Sequence, residues 1–322
     1  VRFRILLACV AGVLPASLIA VIAFLGVYSW PAIRFNGLGF VVERSWDLGN
    51  LYAEPVEIGG ALIPPGAHYG ILFLIVGTCL TAALALVLAV PVGVGAAIFL
   101  AEGVQPRLRY WISFFVELLA AVPSVVFGLW GYVVLIPFLA HYVFPFLVSA
   151  FGTVPFFAGP TGSGYGLLTA AVVLSLMIVP LITATLRDAL VAQPTELREA
   201  AIALGTTRFE LVRKILLPAS RKVLVGGSML ALGRALGETM AVLMVSGNAL
   251  NYLPKNIYAP VSTMAAFIVS QLDSALQDPS GMAVRSLAEI ALILSIISVA
   301  VNALARLILW SSGVASRRLG NV

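Results

Sequence analysis

Charge is what this sequence has least of. Asp, Glu, Lys and Arg together make up 10% of its 322 residues, against 61% hydrophobic residues, whereas a soluble domain carries about 25% charged residues. With a mean hydropathy of +1.06, that shortage excludes a water-soluble globular fold and implies an integral membrane protein. Cysteine is nearly absent: Cys9 and Cys79 both fall in apolar runs and supply neither a disulfide framework nor a metal set. Histidine is limited to His68 and His141, with no H-E-x-x-H or G-x-S-x-G around them, which argues against an intramembrane hydrolase. The phosphate loop G-x-x-x-x-G-K-[ST] is missing too, so this sequence holds no ATPase site of its own.

What is present is hydrocarbon in long runs. Uncharged or nearly uncharged stretches lie near residues 5–29, 71–101, 111–137, 165–186, 223–247 and 286–309, each long enough to cross a bilayer as a helix of about 20 residues. Barrel strands would be about ten residues long and alternate in polarity, and lipid demands that backbone groups be satisfied internally. The sequence therefore predicts an all-α membrane protein with six transmembrane helices. The first run exceeds the apolar core of a signal peptide and no A-x-A-like site follows it, so it is expected to remain as an anchor.

Lys and Arg crowd residues 2–4, 107–109, 187–222 and 306–318, while Arg34, Arg44, Lys255 and Arg285 fall in the other connections. The positive-inside rule then places both termini in the cytoplasm. The net charge of +5 follows from that bias and requires no nucleic-acid partner. An uncharged stretch, 139–163, could form a seventh span, but that would invert everything after it and put the basic segment 187–222 outside. It is expected to be an extracytoplasmic loop with a partly embedded segment. Residues 31–69, carrying Glu43, Asp47, Glu54 and Glu57, read as an exposed extracytoplasmic loop too short to be a domain. Residues 1–322 are thus read as one transmembrane domain.

The largest basic loop, 193–222, reads QPTELREAAIALGTTRFELVRKILLPASRK. Thr195 can cap a short helix ending at Gly205, and Thr207 with Glu210 forms a T-x-x-E capping box for a second helix ending before Pro218. Small residues Ala200, Ala201 and Ala203 allow close approach of another protein, and Leu204, Phe209 and Leu216 offer apolar anchors. Amphipathic helices between spans are common, so periodicity alone leaves docking and plain structure evenly matched. The spacing is more specific: Glu199, Ala200, Ala201, Gly205, Ile215, Leu217 and Pro218 fit E-A-A-x-x-x-G-x9-I-x-L-P at every position. This resembles the EAA coupling loop of ATP-binding-cassette importer permeases. The resemblance implies a type I importer permease fold, and a loop seated in a cleft of a separate ATPase subunit that transmits its closure to the spans.

Arg234 and Glu238 stand inside GRALGETMAVLMVSG, residues 233–247. Counted from Lys222 at about 1.5 Å per residue, Arg234 lies roughly 18 Å along the fifth span, close to the bilayer midplane. A charge there costs about 2.5–3.5 kcal/mol, so these side chains are expected to face protein or water. Their i, i+4 spacing permits pairing, and Gly233 with Gly237 permits a close helix neighbour. One reading is a buried pair that locks helices together. The other is that Arg234 faces a translocation path, donating two hydrogen bonds to an oxyanion, while Glu238 limits how tightly it is held. Glu117 and Glu289 are further acids within spans, possible path residues or packed hydrogen-bonding groups. Pro91, Pro123 and Pro180 are expected to kink their spans.

GRALGETMAV at 233–242, PSVVFGLWG at 123–131 and GYGLLTAAVVLSLMIVP at 164–180 resemble the phosphate-importer permeases of the PstC type, and the likeness runs from the second span to the last. It implies a substrate pathway at Arg234 and Glu238 and a prokaryotic cytoplasmic membrane. It also implies as partners a second permease of the PstA type, an ATPase dimer of the PstB type and an extracytoplasmic phosphate-binding protein of the PstS type. No cofactor is expected in this chain; ATP and Mg would be used by the partner ATPase. A permease for sulfate or molybdate is the nearest alternative. An ion-coupled secondary transporter would leave the EAA spacing unexplained.

Overall fold

The computed structural model describes residues 2–317. Arg318 of the basic set lies outside the described residues, as do the side chains of Arg2, Arg317 and Cys9. Helices run between two ends of a bundle, a basic end that carries residues 193–207 and an opposite end. Six helical stretches among the described residues are long and apolar enough to cross a membrane: Val10–Asn36, Leu72–Gly103, Ser124–Phe151, Leu167–Val191, Arg208–Leu236 and Met282–Leu304.

The first is the greater part of α1 (Arg2–Asn36). A short α2 (Gly39–Val42) follows, then two small antiparallel pairs: β1 (Trp46–Asp47) with β4 (His68–Tyr69), and β2 (Val56–Ile58) with β3 (Ala61–Ile63). This segment is less exposed than its polarity suggests. It begins inside α1, and Phe40, Trp46, Ile63 and Tyr69 are buried with Phe267 and Met282 from far along the chain. Trp46 stacks edge-on with both Tyr69 and Phe267, at centroid distances of 4.9 and 5.2 Å. Aromatic area, not charge, fixes the segment.

α3 (Leu72–Ile98) and α8 (Leu167–Val191) run parallel at the centre, Ala97 and Ala101 meeting Leu186 and Leu190 at the basic end. Small residues at this interface, Ala82, Ala85, Ala89, Ala170 and Ala171, bring the two helices close enough for dispersion to act without a hydrophobic drive. Pro91 and Pro180 sit inside these helices without interrupting either.

The third span differs from its expected limits of 111–137. α4 (Pro106–Ala121) stops at Val122 and Pro123, which are both extended. The span proper follows as α5 (Ser124–Trp130), α6 (Ile136–Phe138) and α7 (Phe144–Phe151), joined by π-helical turns at Gly131–Leu135 and Leu139–Val143. Much of the stretch expected as a loop is therefore helix. The reason lies in the prolines: a proline ring clashes with the carbonyl four residues back and donates no hydrogen bond. Widening the preceding turn relieves the clash at Pro137 and Pro145 and lets the helix continue.

The fifth span also shifts, from an expected 223–247. α9 (Thr195–Ala203) and α10 (Arg208–Glu210) lead through a π-helical turn, Leu211–Leu216, into α11 (Leu217–Leu236). The helix runs through Pro218 instead of ending before it, by the same widening. After α11 the chain breaks, resumes as α12 (Met240–Val245), and reaches α13 (Met264–Ala275) and α14 (Met282–Arg317).

Between α12 and α13 the backbone plugs the opposite end of the bundle. Leu167 and Leu168 N–H, unpartnered within α8 because they open it, donate to the Ala259 and Ile257 carbonyls at 2.9 and 2.8 Å. Met264 N–H donates to Thr78 Oγ1 at 2.9 Å, and Ile257, Tyr258, Val261 and Ser262 are buried. Gly77 on α3 makes this possible, since a Cβ there would overlap the Ser262 carbonyl oxygen.

Candidate functional site

The loop at the basic end is a preformed knob. Pro194, not Thr195, bounds α9, and no side chain caps it. At the other end Gly205 takes φ +80°, its N–H donates to Ile202 at 2.9 Å, and Thr206 N–H donates to Ala201 at 3.3 Å, closing the helix with a left-handed glycine turn. The capping box forms as its spacing predicts: Glu210 N–H donates to Thr207 Oγ1 at 3.2 Å and Thr207 N–H donates to Glu210 Oε2 at 3.1 Å.

The knob is fastened on one side and open on the other. Ala201, Leu211 and Leu216 are buried against Ala97, Ala101, Leu186 and Leu190. Arg198 pairs with Glu102 at the end of the second span and also donates to the Leu190 carbonyl at 2.6 Å. Leu216 is thus an anchor into the bundle, correcting its assignment as a partner contact. Leu204 is 86% exposed and Phe209 68%; Glu199, Ala200 and Ala203 are exposed with them. Of the remaining motif positions, Ile215 and Leu217 are half-buried and Pro218 is exposed. An apolar tip on a base clamped to three spans can pass a displacement into the bundle.

Arg234 and Glu238 do not form the pair their spacing permits. α11 ends at Leu236, so Glu238 lies past the helix in the break, where its Oε1 accepts from Ala241 N–H, in the first turn of α12, at 3.4 Å. Arg234 occupies the last turn of α11, exposed, and makes no ion pair among the described residues. Its depth follows from packing: Gly227 of α11 lies against Thr185 of the antiparallel α8. Two turns on, roughly 10 Å, Arg234 stands level with the middle of α8. Gly233 meets Asn302 of α14, whereas Gly237 has no other helix against it. The Arg234 guanidinium thus stands at mid-depth with no ion pair among the described residues.

The other two acids lie elsewhere. Glu117 on α4 accepts from Arg187 Nη2 at 3.0 Å toward the basic end. Glu289 on α14 is buried and accepts from Asn36 Nδ2 of α1 at 2.9 Å. Both bonds tie one helix to another, and neither acid neighbours Arg234. Sequence reading missed the Arg198 clamp and the plug at 256–263. Asn248, Asn251, Pro254 and Pro260 mark the latter as irregular, but its burial comes from distant partners.

The fold has counterparts among known proteins. Residues 89–309 match the family described as "Binding-protein-dependent transport system inner membrane component". A phosphate transport system permease protein, PstC 1, of Mycobacterium tuberculosis is 48% identical over 278 residues, covering 85% of this chain and 82% of its own. The PstC protein of Mesorhizobium japonicum is 40% identical over 296 residues, covering 90% and 83%. Among solved structures, a bacterial ABC transporter involved in the import of the polysaccharide alginate shares the fold, with a TM-score of 0.52 at 16% identity over 74% of this chain and 79% of that one. The chain belongs to the inner-membrane permeases of binding-protein-dependent transport systems and, among them, to the phosphate transport permeases of the PstC type.

Proposed function

We propose that this chain is the membrane-spanning permease subunit of an ATP-driven, binding-protein-dependent importer, and that its substrate is inorganic phosphate. The reading rests on one observation above others: an exposed arginine at mid-depth that pairs with no carboxylate among the described residues, in a chain whose relatives are named phosphate permeases. In this reading both termini and the 193–222 loop face the cytoplasm, as the basic residues favour. Leu204 and Phe209 enter a cleft of an ATPase subunit of the PstB type, which binds ATP and Mg, and the opposite end receives phosphate from a binding protein of the PstS type. The exposed Arg234 face is completed by a second permease of the PstA type.

Alternating access follows from the connections. Closure of the ATPase pair moves the knob, the knob moves α3, α8 and α11 through Ala201, Arg198 and Leu216, and the path opens toward the loaded binding protein. Arg234 attracts the oxyanion, and Glu238, in the break that follows α11, keeps that attraction weak enough for release.

Uptake of labelled phosphate, with labelled sulfate as control, in starved cells lacking the chain and in the same cells with it restored, tests this reading. Restored phosphate uptake alone supports it; rescue of sulfate reassigns the substrate, and transport by the chain reconstituted alone under an ion gradient overturns the importer.

A further inference from the structure

At the basic end, a cavity of about 570 Å³ opens between α4 and α8. Arg109, Ser113 and Glu117 line it from α4, and Arg187 and Asp188 from α8. It is distinct from the Arg234 site: Arg187 lies two residues beyond Thr185 toward the basic end, so the two arginines differ in depth by roughly 13 Å.

Three polar atoms on its lining residues are buried without a partner: Arg109 Nε, Ser113 Oγ and Arg187 Nη1. Orphaned donors of this kind are rare, and each costs about 1–3 kcal/mol when left unmade. Here the three belong to residues that line one cavity, each atom lying behind its wall, and Arg187 and Ser113 are only 9% and 8% exposed. Arg109 donates through Nη2 to the Ala101 and Val104 carbonyls and has no carboxylate partner among the described residues, so its charge is unopposed. Arg187 is held by Glu117 at 3.0 Å and Asp188 at 2.7 Å, and both acids are more than half exposed.

We propose that this cavity binds a phosphate group, and that Arg109, Ser113 and Arg187 turn their orphaned donors onto its wall to seat it. A tetrahedral oxyanion supplies acceptors for all three donors. The two arginines and two carboxylates of the lining balance, which favours a headgroup carrying its own cation: phosphate toward Arg109, ammonium toward the exposed Glu117 and Asp188. Beside the cavity, α4 turns Tyr110, Trp111, Phe114 and Phe115 outward, an aromatic face suited to the acyl chains of a lipid in the interface. Through the Ala101 carbonyl, Arg109 joins the site to the cluster that seats Ala201, so an occupant braces the base of the docking knob.

The full-length chain, purified and delipidated in detergent, is titrated with phosphatidylethanolamine, phosphatidylglycerol and inorganic phosphate. Bound lipid is counted by native mass spectrometry, and phosphate by equilibrium dialysis. Saturable binding of one phosphatidylethanolamine, tighter than phosphatidylglycerol, is expected. Ser113→Ala and Arg109→Gln should each weaken it about tenfold or more, as the loss of a hydrogen bond to a charged acceptor dictates. Lys255→Gln, at the opposite end, should leave it unchanged. Arg187→Ala breaks two ion pairs and is read only if its melting curve matches wild type. Binding of inorganic phosphate alone, with the same variant pattern, assigns the site to the free oxyanion. Binding of none of the three, or binding indifferent to Ser113→Ala and Arg109→Gln, overturns the proposal.

Discussion

A guanidinium and a primary ammonium carry the same charge but not the same geometry, and Arg234 separates the two. If its planar fork grips the oxyanion, Arg234→Lys keeps attraction and loses the bidentate contact, so phosphate uptake should fall about tenfold with the membrane complex intact; uptake near wild type would reduce the residue to a point charge. Tyr69 offers a test of a different kind. Its hydroxyl is buried without a partner, and burial, with the Asp278 and Asp47 carboxylates near it, pushes the phenol above its ordinary value of about 10. The stability tied to the neutral phenol is complete below that ordinary value and is lost as pH rises through the raised folded one. Tyr69→Phe removes the unmade bond and the ionisation together. It should raise the melting temperature modestly at neutral pH, by up to about 1 kcal/mol of stability, and flatten the alkaline loss; a fall in stability would reveal a partner for the hydroxyl.

At the scale of elements, Gly205 and Gly77 solve different problems. Gly205 has open space where a Cβ would stand, so Gly205→Ala meets only the cost of a left-handed backbone, about 1–2 kcal/mol. Gly205→Pro cannot adopt φ +80° at all and should leave the protein in the membrane with ATP hydrolysis uncoupled from uptake; coupled transport at the wild-type ratio would argue against the docking role. Gly77→Ala instead drives a methyl group into the plug and should cost about 1–3 kcal/mol, read as a lowered melting temperature. These elements also mark what a sequence can disclose. The capping box and the glycine turn were legible because each is made within a few residues. The spans on either side of Pro123 and Pro218 were not, since a proline looks the same whether it ends a helix, as Pro123 does, or is absorbed by a wider turn, as Pro218 is. The Arg234 and Glu238 spacing was read on a helix that stops between them. The plug was hidden because its burial depends on α3 and α8, far away in sequence.

For the whole molecule, the proposed function is divided between two separate places, a knob at the basic end and an arginine at mid-depth. Leu204→Asp with Phe209→Asp should abolish co-purification of the ATPase subunit while leaving the chain folded, because both side chains are spent outward; retained co-purification would place the docking surface elsewhere. The two places are joined most directly by a single helical rod, from Arg208 through Leu211–Leu216 to Leu236. A π-helical turn holds one residue more than an α-helix of the same rise, and moving that surplus along the rod turns each residue it passes by about 100° with about 1.5 Å of travel. In the proposed cycle such a rod can act as a screw instead of a piston, turning a small push at the knob into a change in heading for the residues the surplus passes, without the bundle having to slide.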